Sequence, residues 1–243
     1  MEVKLKDTER LEDLQCQGLK IIQDKNLYTF TSDSVVLANF IKTKQNDFCV
    51  EIGSGCGVIS ILLSAKSKFK NCIAFELQRA MYELTEKNIN LNQLQNKITP
   101  VNDDVDNFNK YFDAGSADVV FSNPPYMKDD VSHNDNVVKD VARHDSTLKI
   151  DKLCSTASKM LRFGGKFYLV YTAERSAELI CQLVKNNLQP KRMFFTENGR
   201  GRVVLVVIEA VKGGKSGVQV LPQLTTNEKD GKYLEILQTK YVK

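Results

Sequence analysis

The chain has 243 residues, of which 42% are hydrophobic and 26% are charged, and its formal net charge at pH 7 is +4. This composition is typical of a globular protein with a full core, and it excludes fibrous, disulfide-stapled and largely disordered chains. No run approaches the roughly 18 apolar residues of a membrane helix, and the charged first twenty residues lead us to expect no signal peptide.

Strands and helices are predicted to alternate along most of the chain. A helix is expected to begin near Thr31, because apolar side chains follow it at helical spacing. Short apolar runs then predict strands at 47–52, 72–75, 98–101, 119–121, 166–171, 193–195 and 203–208, and helices at 58–64, 79–91, 153–161 and 173–185. This alternation predicts an α/β fold with a mostly parallel sheet. We expect a lead-in over 1–30, a main domain over 31–224 and a tail over 225–243.

A glycine-rich loop follows the first strand of this alternation. Gly53, Gly55 and Gly57 can turn the backbone tightly and let a ligand approach closely. The pattern G-x-G-x-G lacks the later glycine of the dinucleotide fingerprint, which makes a nicotinamide cofactor the weaker interpretation. Glu51 precedes the first glycine by two positions and can hold an ammonium group. Taken alone, the loop could also be a bare structural turn.

Acidic residues follow the next two predicted strands. Glu76 lies 23 residues beyond Gly53 and can accept hydrogen bonds from both hydroxyls of a ribose. Asp103 or Asp104 can accept a hydrogen bond from the amino group of adenine, and the sequence does not decide between them. Ligands of open α/β sheets bind at the carboxyl ends of the strands. The joint pattern therefore predicts an adenosine-containing cofactor.

The fourth strand of the alternation ends in Asn123-Pro124-Pro125-Tyr126. An amino group on a base is a poor nucleophile, because its lone pair is delocalised into the ring. The Asn123 side-chain oxygen and the Pro124 carbonyl can each accept one amino hydrogen and so orient the nitrogen. Tyr126 can stack on a flipped-out base. The alternative interpretation is a rigid turn made by the two prolines.

Together these motifs resemble the class I S-adenosylmethionine-dependent methyltransferases. The N-P-P-Y form resembles the branch that methylates adenine, guanine or glutamine nitrogens, and residues 30–38 and 142–144 resemble the bacterial tRNA1(Val) adenine-37 N6-methyltransferases. The resemblance covers about residues 15–224. It implies a Rossmann-like, seven-stranded, mostly parallel sheet with a reversed last strand. It also implies S-adenosylmethionine as cofactor and adenosine 37 of one valine tRNA as substrate.

The resemblance assigns roles residue by residue. It places four residues at the methionine side of the cofactor, namely Glu51, Gly53, Gly55 and Gly57. It places Glu76 at the ribose, Asp103 or Asp104 at the adenine, and Asn123 to Tyr126 at the target base, with Asn123 also beside the cofactor. Phe30 and Asp33 would close over the cofactor or the base. Arg143 could contact substrate phosphate, or it could form an ordinary ion pair within its polar loop.

The segment 162–215 is the most basic part of the sequence. It holds ten Lys and Arg residues against four Asp and Glu residues. Basic side chains in such a segment can neutralise RNA phosphates, and the candidates for that role are Lys191, Arg192, Arg200 and Arg202. A solvated basic face is the alternative interpretation.

Other functions remain open at this point. The same chemistry could act on a guanine of ribosomal RNA or on a glutamine of a release factor, although the latter enzymes typically add an N-terminal helical domain. A protein that binds RNA without turnover is the alternative from another class. Six cysteines without a C-x-x-C pair and only two histidines predict no metal site. We expect a cytoplasmic monomer or weak dimer with no membrane partner.

Overall fold

The structure is a computed structural model that describes residues 4–125, 149–198 and 200–225. The strands are β1 (Glu9–Asp13), β2 (Lys20–Asp24), β3 (Phe48–Ile52), β4 (Asn71–Phe75), β5 (Ile98–Val101), β6 (Ala117–Ser122), β7 (Leu161–Thr172), β8 (Leu188–Glu197), β9 (Val203–Lys212), β10 (Gln219–Val220) and β11 (Leu224–Thr225). The α-helices are α1 (Ser32–Phe40), α2 (Val58–Lys66), α3 (Arg79–Leu91), α4 (Ile150–Met160) and α5 (Ser176–Lys185). Two 3-10 helices cover Val105–Lys110 and Ala173–Arg175.

The main sheet has the strand order β10-β8-β9-β7-β6-β3-β4-β5, and β11 also pairs with β8. Strands β3 to β7 run parallel to one another, whereas β9 runs antiparallel to both β7 and β8. The seven long strands thus form the predicted sheet with a reversed last strand. The two-residue strands β10 and β11 extend its β8 edge.

Helices cover both faces of this sheet, which explains why its central strands are apolar on both sides. One core joins α1, α2, α3 and the N-terminal hairpin to one face. The other core joins α4, α5 and the first 3-10 helix to the opposite face. Among the described residues, no helix combines the length and the apolar character that a membrane crossing requires.

The register of the central strands places four strand ends side by side. Ile52 at the end of β3 pairs with Phe75 of β4 and with Ser122 of β6, and Phe75 pairs with Val101 of β5. The residues that follow these strands therefore emerge at a single edge of the sheet, which we call the carboxyl edge. The opposite edge, where β3 to β8 begin and β9 ends, is called the amino edge.

The N-terminal hairpin of β1 and β2 packs against α3 through asparagine side chains. Asn88 accepts a hydrogen bond from the Ile22 amide at 2.7 Å and donates to the Ile22 carbonyl and the Cys56 carbonyl, each at 3.0 Å. Asn92 makes the matching pair of bonds with the backbone of Lys20. Residues predicted as a polar lead-in thus share a core with the main domain, and Ile21 and Ile22 are fully buried.

Two strands differ in extent from the prediction for physical reasons. The strand predicted at 193–195 is the end of the ten-residue β8, in which Pro190 lies beside a shift of register. The strand predicted at 166–171 begins earlier, at Leu161 of β7, and a register shift against β6 together with a φ of +74° at Gly164 marks a bulge in its first half. Proline and glycine inside a strand are signs of such irregularities.

Candidate functional site

The glycine loop between β3 and α2 forms one wall of a cavity at the carboxyl edge. Gly53 has a φ of +71° and Gly57 a φ of +81°, a region that residues with a Cβ rarely adopt. A Cβ at Gly57 would also lie 3.0 Å from the Thr85 methyl carbon. Glycine is therefore required here both by backbone conformation and by the close packing of α3 beneath the loop.

Glu76, directly after β4, is held by the glycine loop and lines the same cavity. Its carboxylate accepts hydrogen bonds from the Gly55 amide and the Gln78 amide, each at 2.9 Å. Glu76 is buried, and burial raises the pKa of its carboxyl above the ordinary value although the backbone bonds oppose that change. Each oxygen keeps a further lone pair for a ligand hydroxyl.

Asp103 and Asp104 both line the cavity but differ in their hydrogen bonds. The Asp103 carboxylate accepts four, from the Asp104 amide, Asn107, Lys110 and Tyr111. The bond from Asn107 contributes most to the lowering of the Asp103 pKa to about 2. Asp104 caps the first 3-10 helix by accepting from the Asp106 amide with Oδ1 only. The geometry therefore favours Asp104 over Asp103 for a new hydrogen bond.

Glu51 lies beneath the glycine loop rather than in the cavity lining. It is fully buried, and its Oε2 accepts a hydrogen bond of 2.5 Å from the Ser60 hydroxyl. Burial raises the pKa of Glu51 to about 8. Among the described residues, Glu51 Oε1 and the buried Ser54 hydroxyl have no partner. Two unpaired buried polar atoms beside one loop are consistent with a polar ligand above it.

Asn123 follows β6 and faces the cavity together with Pro124 and Pro125. The end of β6 is fixed to β3 by a hydrogen bond of 2.8 Å from the Ser122 hydroxyl to the Ile52 carbonyl. The Asn123 amide nitrogen donates to the Ser34 hydroxyl at 3.0 Å. Its side-chain oxygen is buried and has no partner among the described residues. An unpaired acceptor at the cavity wall is suited to receive a ligand N–H.

Some residues that the motifs singled out are not placed at the cavity. Phe30 is buried in the core and Asp33 lies in the first turn of α1, and the cavity lining includes neither. Tyr126 and Arg143 lie outside the described residues. The lining instead includes Tyr28, Leu77, Met81 and Lys152, which no motif indicated. Tyr28 and Leu77 are about half exposed, and neither stands in a pattern that the sequence could have revealed.

The predicted basic residues are divided between the two edges of the sheet. Arg200 and Arg202 are exposed in the loop after β8, at the carboxyl edge. Lys191, near the start of β8, donates to the Lys215 carbonyl at 3.1 Å toward the amino edge. The Arg192 guanidinium lies 3.4 Å from the buried Glu209 and above the ring of Phe40. Only part of the basic segment therefore lies at the carboxyl edge, where the cavity is.

Residues 4–125, 149–198 and 200–225 contain no group of three His, Cys, Asp or Glu side chains that could hold a metal ion. Two ion pairs involve residues of the cavity lining, Lys152–Asp106 at 2.6 Å and Lys110–Asp103 at 3.1 Å.

Comparison with known proteins gives a family match and consistent relatives. Residues 33–156 match the family described as the TRM5/TYW2 methyltransferase domain. A tRNA1(Val) (adenine(37)-N6)-methyltransferase of Tolumonas auensis is 26% identical over 88% of this chain and 88% of its own length. An enzyme of the same name from Dyadobacter fermentans is 24% identical over 91% of this chain and 93% of its own.

Solved structures share the fold at low sequence identity. A predicted O-methyltransferase of Agrobacterium tumefaciens has a TM-score of 0.65 and 16% identity, covering 84% of this chain and 96% of its own. Trm5 of Methanocaldococcus jannaschii, solved with adenosine, has a TM-score of 0.62 and 18% identity over 88% of this chain and 57% of its own. These structures confirm the α/β fold, and the family match confirms the resemblance to methyltransferases.

Proposed function

Because the chain belongs to the family of TRM5/TYW2 methyltransferase domains, we propose that it transfers a methyl group from S-adenosylmethionine to the N6 amino group of an adenine in tRNA. Adenosine 37 of tRNA1(Val) is the proposed target, since two relatives that match most of the chain carry that activity in their names. The observation that carries the proposal is the unpaired, buried oxygen of Asn123 in the cavity that Glu76 also lines.

The residues of the cavity fit the proposed cofactor. The glycine loop leaves room for close approach, and the Glu76 carboxylate offers lone pairs to two ribose hydroxyls. Asp104 is proposed as the acceptor for the adenine amino group, because the Asp103 carboxylate already accepts four bonds. Glu51 remains a proposed contact of the methionine moiety, although its carboxyl lies beneath the glycine loop and outside the cavity lining. When bound, S-adenosylmethionine supplies an electrophilic methyl group.

Asn123 and Pro124 are proposed to orient the nucleophile. The Asn123 oxygen and the Pro124 carbonyl each accept one hydrogen of the amino group, which turns the nitrogen lone pair out of conjugation with the ring. The nitrogen becomes acidic once it carries the methyl group, so its proton can pass to water and no strong base is needed. Tyr126 remains the proposed stacking partner of the base, and Phe30, Asp33 and Arg143 remain proposed substrate contacts.

RNA is proposed to approach the carboxyl edge. Arg200 and Arg202 lie in an exposed loop at that edge, where they can neutralise phosphates. Lys191 and Arg192, which the sequence also suggested, are directed to the Lys215 carbonyl and to Glu209, so we propose a smaller part for them. We further propose a cytoplasmic monomer or weak dimer that requires no metal.

The proposal is tested by supplying the purified protein with labelled S-adenosylmethionine and total tRNA from a strain that lacks it. Nucleoside mass spectrometry is expected to find new N6-methyladenosine in a single valine tRNA. tRNA from the parental strain is the matched control, because its target is already methylated and should accept no label.

Another acceptor would be recognised in the same assay. Label in ribosomal RNA guanine or in release-factor glutamine, with tRNA unlabelled, would support the proposed methyltransferase activity. The same result would overturn the proposal that tRNA is the substrate. Absence of transfer to any of these, together with retained RNA binding, would support the RNA-binding alternative.

A further inference from the structure

We propose that Ser34 is a positioning residue that anchors the Asn123 amide at the cavity wall and thereby sets the rate of methyl transfer. The proposal rests on the proposed function of Asn123 as the group that orients the target amino group. Ser34 belongs to α1, and 89 residues separate it from Asn123 in the chain. No catalytic role follows for Ser34 itself, since it acts through Asn123.

The contact between the two side chains is partly buried. Ser34 is 4% exposed, and its hydroxyl accepts the hydrogen bond from the Asn123 amide nitrogen at 3.0 Å. The neighbouring residues of α1, Val35 and Val36, are buried in the core that covers this face of the sheet. The helix therefore presents the hydroxyl from a rigid, well-packed element.

The orientation of the amide decides which of its two ends faces the substrate. With the nitrogen bound to Ser34, the oxygen points away from the helix and remains buried without a partner among the described residues. A rotation of the amide by 180° would present an N–H to the amino group of the base, where an acceptor is needed. The Ser34 hydroxyl holds the amide at the cavity wall, and by accepting from the nitrogen it leaves the oxygen for the amino group. A rotated amide would meet the same hydroxyl as a donor, but it would lose the acceptor that the amino group needs.

The first experiment compares four variants in the methylation assay. Ser34→Ala is expected to lower kcat by about 10- to 100-fold while the Kd for S-adenosylmethionine stays within twofold, because misdirected orienting groups cost rate rather than cofactor affinity. Ser34→Thr retains a hydroxyl and is expected to recover most of the rate. Ser34→Val has the shape of the Thr variant but no hydroxyl, so it is expected to remain slow. Ser64→Ala removes a comparable helical hydroxyl that bonds the Ile61 carbonyl, and it should leave kcat unchanged.

The second experiment asks whether Ser34 acts through Asn123. The double variant Ser34→Ala/Asn123→Ala is expected to be no slower than Asn123→Ala alone, since removal of the amide removes what Ser34 positions. Independent losses that multiply would overturn the proposal. So would equal rates of Ser34→Thr and Ser34→Val, or a Ser34→Ala variant with wild-type kcat.

A spectroscopic readout separates this inference from the proposed function. The side-chain amide signals of Asn123, identified by their loss in Asn123→Asp, are expected to shift in Ser34→Ala and not in Ser64→Ala, whichever acceptor the enzyme uses. If the wild-type protein methylates no adenine, the proposed function fails while this signal still reports on the contact. An unmoved signal in Ser34→Ala overturns the positioning inference alone.

Discussion

The two ends of the cavity are assembled in different ways. At the cofactor end, backbone amides and side chains from adjacent strand ends bind one another, as in the bond from the Gly55 amide to Glu76 across 21 residues. At the acceptor end, Asn123 depends on a helix 89 residues earlier in the chain. The cofactor end therefore follows from local motifs on a shared sheet edge, whereas the acceptor end requires the tertiary packing of α1.

The largest expected effect is at the acceptor end. Asn123→Ala removes an orienting acceptor, and we expect kcat to fall by about 1000-fold with little change in S-adenosylmethionine affinity. Single-turnover methylation and calorimetric titration of the cofactor measure the two quantities separately. Loss of cofactor affinity as large as the loss of rate would remove the distinction between the two ends.

The complementary change at the cofactor end is Glu76→Ala. It removes the carboxylate that joins the glycine loop to the ribose position, so the Kd for S-adenosylmethionine should rise about 100-fold, as expected for two charge-assisted hydrogen bonds. At saturating cofactor, kcat should recover to within several-fold of wild type. Glu83→Ala is the matched control, because Glu83 pairs with exposed Arg79 at the surface. An equal effect of both variants would contradict the assignment.

The two adjacent aspartates offer a finer test. Asp104→Ala should raise the Kd for S-adenosylmethionine about tenfold, the value of one hydrogen bond to the adenine. Asp103→Ala should lower the melting temperature more than it changes that Kd, because Asp103 holds Asn107, Lys110 and Tyr111. Thermal unfolding and cofactor titration of both variants measure this. The reverse pattern would identify Asp103 as the adenine contact.

A smaller effect is expected from the arginines of the carboxyl edge. Arg200→Ala combined with Arg202→Ala should weaken tRNA binding several-fold and reduce the slope of log K against log salt by about 1.5. The matched control is Lys159→Ala with Lys185→Ala at the amino-edge ends of α4 and α5, which should leave the slope unchanged. Filter binding at several salt concentrations checks both pairs. Equal slopes for the two double variants would place the RNA elsewhere.

The smallest expected effect concerns pH and the buried Glu51. Its pKa of about 8 lies above the ordinary 4.5, so between these values the folded state keeps a proton that the unfolded state has released. The free energy of unfolding should therefore fall as pH rises through this window. Glu51→Gln should make the free energy of unfolding less dependent on pH, as measured by urea unfolding at pH 5, 6.5 and 8. Identical pH dependence in both proteins would contradict burial as the cause.

The alternation of apolar runs predicted the mostly parallel sheet, and the family resemblance implied its reversed last strand. Glycines and acids at successive strand ends are typical of a nucleoside site, and parallel register brings them to one edge. Three features could not be predicted. Gly164 and Pro190 lie inside strands because bulges absorb them. The basic segment divides because the ten-residue β8 separates Lys191 at one edge of the sheet from Arg200 and Arg202 at the other, which no count of charges reveals. Tyr28 lines the cavity only because of how the N-terminal hairpin packs on α3.

The asparagine contacts of the hairpin have a consequence for how the chain folds during its synthesis. During synthesis, β2 emerges early, yet its hydrogen-bond partners Asn88 and Asn92 emerge 66 and 72 residues after Ile22 and Lys20. Asn88 also joins the hairpin to Cys56 of the glycine loop. We therefore expect a nascent chain released before residue 92 to leave its first strands vulnerable to protease, while a chain extended past α3 protects them.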